Sequence, residues 1–201
     1  MPVAPKNHAL VVIDMLQDYF DVALWPDSVL PQQRTELVAH ITQLVDSCRR
    51  HSVPIIWVRQ AFQPDLSDAF PHMRKNKRSY TIAGTPGCEI LPELRIQKGD
   101  TVLFKKRFSA FFHTDLDTIL HRMQINALIL AGITTSWCVR ATAVDGYQRD
   151  FGILLAKDCL AGFTREDHQT SLRAMDGYIA TAANNAELHD MLSALRKHSH
   201  N

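Results

Sequence analysis

The sequence has no long hydrophobic run and no excess of either charge. Its 22 lysine and arginine residues nearly balance 21 aspartate and glutamate residues, which leaves a formal net charge of +1. Such a chain has no general electrostatic attraction for nucleic acid or an anionic membrane. No stretch approaches the roughly 18 apolar residues of a membrane-spanning helix, and the early run Ala9–Ile13 is too short for a signal peptide. We therefore expect a cytoplasmic protein with neither nucleic-acid nor membrane partners.

Cysteine is also scarce, and the sequence contains none of the common metal-binding motifs. The four cysteines, Cys48, Cys88, Cys138 and Cys159, show no C-x-x-C spacing, and we expect free thiols in a reducing compartment. The ten histidines form no H-E-x-x-H motif and no Cys/His quartet. The sequence therefore predicts neither a metal site nor a cofactor.

The apolar residues are arranged in short buried runs that are typical of parallel β-strands. The chain has 201 residues and is 46% hydrophobic, which predicts a single globular domain over residues 1–201. Continuous apolar runs of about five residues suit strands that are covered on both faces. The predicted strands are Ala9–Ile13, Pro54–Val58, Thr101–Phe104, Ala127–Ala131 and Gly152–Ala156, with a weaker sixth candidate at Tyr178–Thr181.

Helical patterns lie between these runs. Leu37, Ile41, Leu44, Val45 and Cys48 form an apolar stripe at spacings of three and four residues. Further helices are expected after Thr114, after the fourth strand and near Thr164. The alternation predicts a doubly wound α/β domain of about six mostly parallel strands, with helices on both faces of the sheet. The irregular residues 60–99 are expected to form a packed lid or pocket wall.

Three chemically reactive residues follow predicted strands. Ligands of open α/β sheets bind beyond the carboxyl ends of the strands, where Asp14 and Lys105 stand after the first and third strands and Cys138 follows the fourth. Thr134, Thr135 and Ser136 are candidate caps for a helix whose first turn contains Cys138. A helix N-terminus and a nearby lysine lower the pKa of a thiol. A carboxylate, an ammonium and a thiol suffice for acyl transfer, although each alone is equally typical of a turn, a strand end or a core residue.

Three ordered segments of the chain resemble the isochorismatase-like hydrolases. Residues 9–20 (ALVVIDMLQDYF) are similar to the opening strand and aspartate of that family, and residues 105–116 (KKRFSAFFHTDL) to its lysine block. Residues 131–139 (AGITTSWCV) are similar to its nucleophile segment. The resemblance implies a triad of Asp14, Lys105 and Cys138, with Lys105 rather than Lys106 because the lysine stands three residues before the aromatic-Ser-Ala-Phe run.

The resemblance implies a Rossmann-like parallel sheet of six strands, and it carries expectations about the oxyanion site, assembly and substrate. It implies a cis peptide bond between Ile133 and Thr134, which directs the N–H groups of Thr134 and Cys138 at an oxyanion, and it implies a homo-oligomer, either a dimer or a tetramer. Metal-dependent nicotinamidases of the superfamily carry an Asp-x-His-His-type segment after the second strand, whereas this chain has no histidine there. Retention of Cys138 favours an amidohydrolase that cleaves a C–N bond of a small amide, ureide or carbamoyl compound.

Other functions stay open from the sequence alone. They are isochorismatase-type hydrolysis of a non-amide molecule, a non-catalytic relative of the enzymes, and a redox sensor at Cys138. Trp137 fits both a substrate pocket and packing against the core or another subunit. The candidate pocket residues are Phe20, Trp25, Arg59, Phe62, Arg78, Tyr80, Phe108, Phe111 and Trp137.

Overall fold

Strands and helices alternate along the whole described chain. The computed structural model describes residues 7–198. The strands are β1 (His8–Ile13), β2 (Ile55–Gln60), β3 (Thr101–Lys105), β4 (Ala127–Ile133), β5 (Gly152–Ala161) and β6 (Thr181–Ala183). The helices are α1 (Leu30–Arg50), α2 (Pro71–Asn76), α3 (Leu116–Arg122), α4 (Arg140–Tyr147), α5 (Arg165–Met175) and α6 (Asn185–His198). No helix within residues 7–198 is both long enough and apolar enough to cross a membrane.

The six strands form one parallel sheet in the order β3-β2-β1-β4-β5-β6, which confirms the predicted doubly wound fold. The first five strands lie where the buried runs predicted them. The prediction of a strand at Tyr178–Thr181 was wrong, because β6 begins only at Thr181. Gly177 has a φ of 76° and donates its N–H to the Ala180 carbonyl, so the preceding residues form a turn.

Each face of the sheet has its own hydrophobic core because side chains alternate along a strand. Leu10 and Val12 of β1 pack with the apolar stripe of α1 on one face. Val11 and Ile13 pack on the other face, where α3 and α4 cover the sheet. Burial of each large aliphatic side chain stabilises the fold by roughly 1.5–3 kcal/mol, so both layers fix the position of the central strands.

Two helix starts show how closely local sequence signals predicted the structure. Thr164 caps α5, since its hydroxyl oxygen accepts the N–H of Asp167 at 3.0 Å. At α3 the expected cap, Thr114, lies one residue too early. Asp115 occupies the capping position there, while the Thr114 hydroxyl accepts the N–H of Leu116 at 3.2 Å and donates to the Ala110 carbonyl.

The carboxyl ends of β1 and β4 approach each other closely at Gly132. This glycine has a φ of 104°, and a β-carbon at its position would lie 2.1 Å from the Ile13 carbonyl oxygen. A side chain would therefore force the two strands apart. The close approach places Asp14, which follows Ile13, beside the segment that leads to Cys138.

Residues 60–99 form a wall above this edge of the sheet, as predicted. The segment leaves β2 and returns, since Phe62 donates its N–H to the Thr81 carbonyl and accepts the N–H of Ala83 at its own carbonyl. Helix α2 and the residues around it lie within this excursion. The backbone ladder holds the base of the excursion against the sheet, so its tip contributes side chains to the site.

Candidate active site

The side chains of Asp14, Lys105 and Cys138 meet at the carboxyl edge of the sheet. Nζ of Lys105 lies 2.6 Å from Oδ2 of Asp14 and donates to Sγ of Cys138 at 3.4 Å. The ammonium also donates to the Arg107 carbonyl at 3.0 Å. All three side chains are almost completely buried, at 0%, 1% and 6% exposure respectively. A carboxylate, a cation and a thiol therefore share one site.

The sheet topology explains how residues so distant in sequence come together. Asp14 directly follows β1 and has a φ of 53°, a turn that ends the strand. Lys105 is the last residue of β3 and lies opposite Gln60 in the register of the sheet. Its neighbour Lys106 extends away from the site, where it pairs with Asp68 at 2.7 Å. The end of β3 at Lys105 thus separates the two adjacent lysines.

Cys138 lies in a short π-helical turn, Thr135–Val139, which precedes α4. We refer to residues 134–139 as the Cys138 turn. Thr134 begins it in an extended conformation, and its carbonyl accepts the N–H groups of Trp137 and Val139. The expected cis peptide bond between Ile133 and Thr134 is present. A side-chain cap from Thr134, expected as one of three candidates, is absent from the described structure.

The environment of Cys138 does not lower its pKa, so our expectation of a low-pKa thiol was wrong. Burial raises the pKa of the Cys138 thiol to about 12, and the negative charge of Asp14 adds to this effect, while Lys105 opposes it. The start of the turn does not compensate for the loss of solvent around a fully buried thiol. The resting cysteine is therefore protonated at neutral pH and requires a base.

The pKa values of the two charged neighbours of the thiol are shifted as well. Burial raises the pKa of the Asp14 carboxyl group above the ordinary value of 3.8, although the charge of Lys105 opposes the shift. Burial alone lowers the pKa of Lys105, but the charges of Asp14 and Cys138 more than reverse that effect, and the net pKa is raised. The site therefore pairs the Lys105 ammonium with a carboxyl group whose affinity for a proton is increased.

Asp14 and Cys138 line a cavity of about 420 Å³ with aromatic walls, and Lys105 lies buried behind them. Tyr19, Trp25, Tyr80 and Phe163 form one cluster, in which Trp25 stacks on Phe163 with ring centroids 4.6 Å apart. A second set of rings runs from Phe70 through Phe108 to Trp137, with centroid separations of 4.5 and 5.2 Å. The remaining lining residues are Asp14, Gln60, His72, Arg78, Ile133, Thr134 and Cys138.

Five of the nine pocket residues proposed from sequence line this cavity: Trp25, Arg78, Tyr80, Phe108 and Trp137. Trp137 combines two environments, because its ring packs near Phe108 and yet is 53% exposed. Arg78 lies over the Trp25 ring, with its guanidinium carbon 5.2 Å from the ring centroid. Within residues 7–198 it forms no salt bridge, so it presents an unneutralised charge at the cavity.

The other four proposed residues lie outside the cavity lining. Phe20 is buried in the core beneath α1, and Phe62 is fully buried behind Phe70. Arg59 occupies the opposite face of β2 from Gln60, where it pairs with Glu89 at 2.6 Å. Phe111 packs against Phe151 in the core on the far side of the sheet.

Sequence reasoning missed five lining residues, namely Tyr19, Gln60, Phe70, His72 and Phe163. Gln60 is the most informative of them. Its side-chain oxygen accepts the Tyr19 hydroxyl at 2.5 Å, while its Nε2 is buried without a hydrogen-bond partner among the described residues. Because side chains alternate along a strand, Gln60 lies on the same face of β2 as Val58, and its position at the end of β2 brings it to the site. Tyr19 and Phe163 carry no such signal, because both lie outside regular strands.

The described residues contain no cluster of three or more histidine, cysteine or carboxylate side chains suited to a metal ion. After β2, where metal-dependent nicotinamidases carry histidines, this chain has Ala61 and Phe62, and both are buried in the core. The expectation of metal-independent chemistry stays a prediction.

Comparisons with known proteins agree with this fold. The YaaI protein of Bacillus subtilis, described as an uncharacterized isochorismatase family protein, is 29% identical over 88% of this chain and 93% of its own length. Ureidoacrylate amidohydrolase RutB of Methylorubrum extorquens is 30% identical over 73% of this chain and 67% of its own. The crystal structure of N-carbamoylsarcosine amidase from Thermoplasma acidophilum superposes with a TM-score of 0.73 at 27% identity, covering 90% of this chain and 97% of that one. The sequence pattern of the Isochorismatase domain matches residues 8–187, and the chain therefore belongs to the isochorismatase family of hydrolases.

Proposed function

We propose that this protein is a cysteine-dependent amidohydrolase that cleaves a C–N bond of a small amide, ureide or carbamoyl compound through a thioester intermediate. The observation that carries the proposal is the contact of one buried ammonium, Lys105, with both the Asp14 carboxylate and the Cys138 thiol at the floor of a cavity. Nucleophile, base and cation stand within reach of one another.

The first half of the reaction forms the thioester. Asp14 takes the thiol proton, and Sγ of Cys138 attacks the substrate carbonyl carbon. The electron pair of the carbonyl moves to its oxygen, which the N–H groups of Thr134 and Cys138 are proposed to receive. When this intermediate collapses, the C–N bond breaks, and the nitrogen leaves with the proton that Asp14 returns.

The second half restores the enzyme. A water molecule loses a proton to Asp14 and attacks the thioester carbonyl. The C–S bond then breaks, the acid product leaves, and the sulfur recovers its proton from Asp14. Throughout both halves Lys105 stays charged and stabilises whichever of its two neighbours carries the negative charge.

The cavity also constrains the substrate. Facing aromatic walls suit a flat molecule, and the unpartnered Nε2 of Gln60 is a donor for a substrate oxygen. Arg78 adds a positive charge at the cavity. Two relatives whose names record amide cleavage, the ureidoacrylate amidohydrolase and the N-carbamoylsarcosine amidase, support C–N bond hydrolysis as the reaction class.

Mass spectrometry of the Cys138 peptide tests this function. The protein is incubated with a panel of small amides, ureides and carbamoyl compounds and quenched in acid, and we expect an acyl adduct on Cys138. Cys138→Ala should abolish both the adduct and turnover, whereas Cys159→Ala, which removes another buried thiol, should retain them. Substantial turnover by Cys138→Ala would exclude the thioester route and favour isochorismatase-type hydrolysis.

A further inference from the structure

A buried hydrogen-bond chain connects α5 to the Cys138 turn. The Thr135 hydroxyl donates to the Ala161 carbonyl at 3.0 Å, and Nδ1 of His168 lies 2.8 Å from the same hydroxyl oxygen. A hydroxyl has one proton. Because that proton is directed at Ala161, the His168 ring donates its Nδ1–H to Thr135. The chain thus runs from His168 of α5 through Thr135 to the end of β5.

The position of Thr135 connects these hydrogen bonds to the candidate active site. Thr135 is completely buried and stands between Thr134, whose N–H is proposed to meet the oxyanion, and the turn that carries Cys138. The main-chain bonds of the turn are short-range, from Trp137 and Val139 back to Thr134. They fix the shape of the turn, while the Thr135 hydroxyl ties the turn to the end of β5 and, through His168, to α5.

The neighbouring backbone leaves His168 little freedom. Gly162 follows β5 directly, and a β-carbon at Gly162 would lie 3.2 Å from the β-carbon of His168. The imidazole is half-buried and does not belong to the cavity lining. The imidazole therefore contacts the Cys138 turn from outside the cavity.

We infer that His168 is a positioning residue, which holds the Cys138 turn in its reactive position through the Thr135 hydroxyl. This inference rests on the proposed thioester chemistry at Cys138. Misplacement of a reacting group by about 1 Å costs up to a hundredfold in rate. Loss of the His168 contact should therefore lower kcat more than it raises KM.

Three substitutions separate positioning from other roles. In His168→Asn the side-chain amide nitrogen takes the place of Nδ1 and retains the donor, whereas His168→Leu removes it. We expect His168→Leu to lower kcat at least tenfold with KM changed less than threefold. We expect His168→Asn to retain kcat within about threefold and to keep the pH profile of the wild type. Thr135→Val should lower kcat as His168→Leu does, and the double variant should be no worse than either single variant.

His40→Leu is the matched control for stability. His40 is also half-buried, and its Nδ1 contacts the Asp158 carbonyl at 3.0 Å, far in sequence from the Cys138 turn. Its loss should lower the melting temperature to an extent similar to that of His168→Leu but leave kcat within twofold. Equal kcat values for these two variants would overturn the inference. A His168→Asn variant as slow as His168→Leu would also overturn it, because a retained donor would then not restore the rate.

The state of Cys138 distinguishes this inference from the proposed function. Adduct formation on Cys138 in the wild type, with unchanged kcat in His168→Leu, would refute positioning while the thioester mechanism stands. Failure of every amide to acylate Cys138 would refute the proposed function. In that event the rate of iodoacetamide alkylation of Cys138 still tests positioning, and it should fall in His168→Leu but not in His168→Asn.

Discussion

Nζ of Lys105 lies 2.6 Å from Oδ2 of Asp14, and both side chains are almost fully buried. Burial raises the pKa of the Cys138 thiol, and the same ammonium opposes that rise. Lys105→Met should therefore raise the pKa of the thiol by about 1–3 units, which slows alkylation by iodoacetamide near neutral pH by about tenfold or more. Turnover should fall to near background.

Lys106→Met is the control for this prediction. Lys106 pairs with the half-buried Asp68 outside the site, so its loss should leave the alkylation profile of Cys138 against pH unchanged. In Lys105→Met a buried carboxylate loses its partner, which costs about 3–5 kcal/mol of stability. The melting temperature of each variant should therefore be measured together with its kinetics. A raised thiol pKa in Lys106→Met but not in Lys105→Met would reassign the lysine.

The raised pKa of Asp14 predicts the acid limb of the pH profile. Below that pKa the carboxyl group is protonated and cannot accept the thiol proton, so kcat/KM falls as the pH falls. Since burial raises the pKa of Asp14 above 3.8, the decline should begin at a higher pH than for a solvent-exposed aspartate. Asp14→Asn should lose activity by at least a hundredfold. Asp46 lies on the exposed side of α1, so Asp46→Asn should leave the acid limb of the pH profile unchanged. A limb unaltered in a residually active Asp14→Asn variant would contradict this assignment.

Activity should survive removal of metal ions. The reaction proposed here uses only the side chains of Asp14, Lys105 and Cys138 and the two backbone N–H groups. Exhaustive dialysis against a chelator, with metal content measured by mass spectrometry, should therefore leave kcat unchanged. Restoration of a lost activity by zinc or iron would show that a metal takes part.

The fold was predictable because the central strands β1 and β4 are covered on both faces. The sequence of such a strand is a continuous apolar run, and its carboxyl end marks the edge where ligands bind. Asp14 and Lys105 could be placed at that edge for this reason. The sixth strand is only three residues long and partly exposed, so its composition differs little from that of a turn.

The cavity walls were less predictable because they come from irregular segments. Phe62 and Phe70 look alike in sequence, yet Phe62 is fully buried behind Phe70, which alone of the two lines the cavity. Tyr19 and Phe20 are adjacent, and only the tertiary fold decides which one faces the cavity. The raised pKa of Cys138 has the same origin, since burial depends on the surrounding chain and outweighs the local effect of the turn.

Assembly into a dimer or tetramer stays a prediction, and Trp137 offers a way to examine it. Its ring is 53% exposed beside Phe108 at the cavity, so it offers apolar surface that another subunit could cover. Light scattering should give a multiple of the 22.8 kDa chain mass. If Trp137 packs against another subunit, Trp137→Ser should shift the assembly towards monomers, whereas Tyr178→Ser, at 82% exposure, should not. The monomer mass alone across a wide concentration range would refute the prediction.

Arg78 should select substrates that carry an acidic group. Asp14 is the only carboxylate among the described residues that line the cavity, and Lys105 meets its charge. The guanidinium of Arg78 is stacked over Trp25 and forms no salt bridge within residues 7–198. We therefore expect a substrate anion to form an ion pair with Arg78. An exposed ion pair of this kind contributes up to about 1 kcal/mol, or fivefold in affinity.

Protection of Cys138 from iodoacetamide measures this affinity without turnover. In the wild type, 4-carbamoylbenzoate should protect at about fivefold lower concentration than benzamide, which has the same ring and amide but no carboxylate. Arg78→Gln should remove the difference by weakening only the charged probe. Arg74→Gln is the matched control, because Arg74 is an exposed residue of α2 that donates to the Ser67 carbonyl and lies outside the cavity. Equal protection by the two probes in the wild type, or an undiminished preference in Arg78→Gln, would show that Arg78 does not read the charge of the substrate.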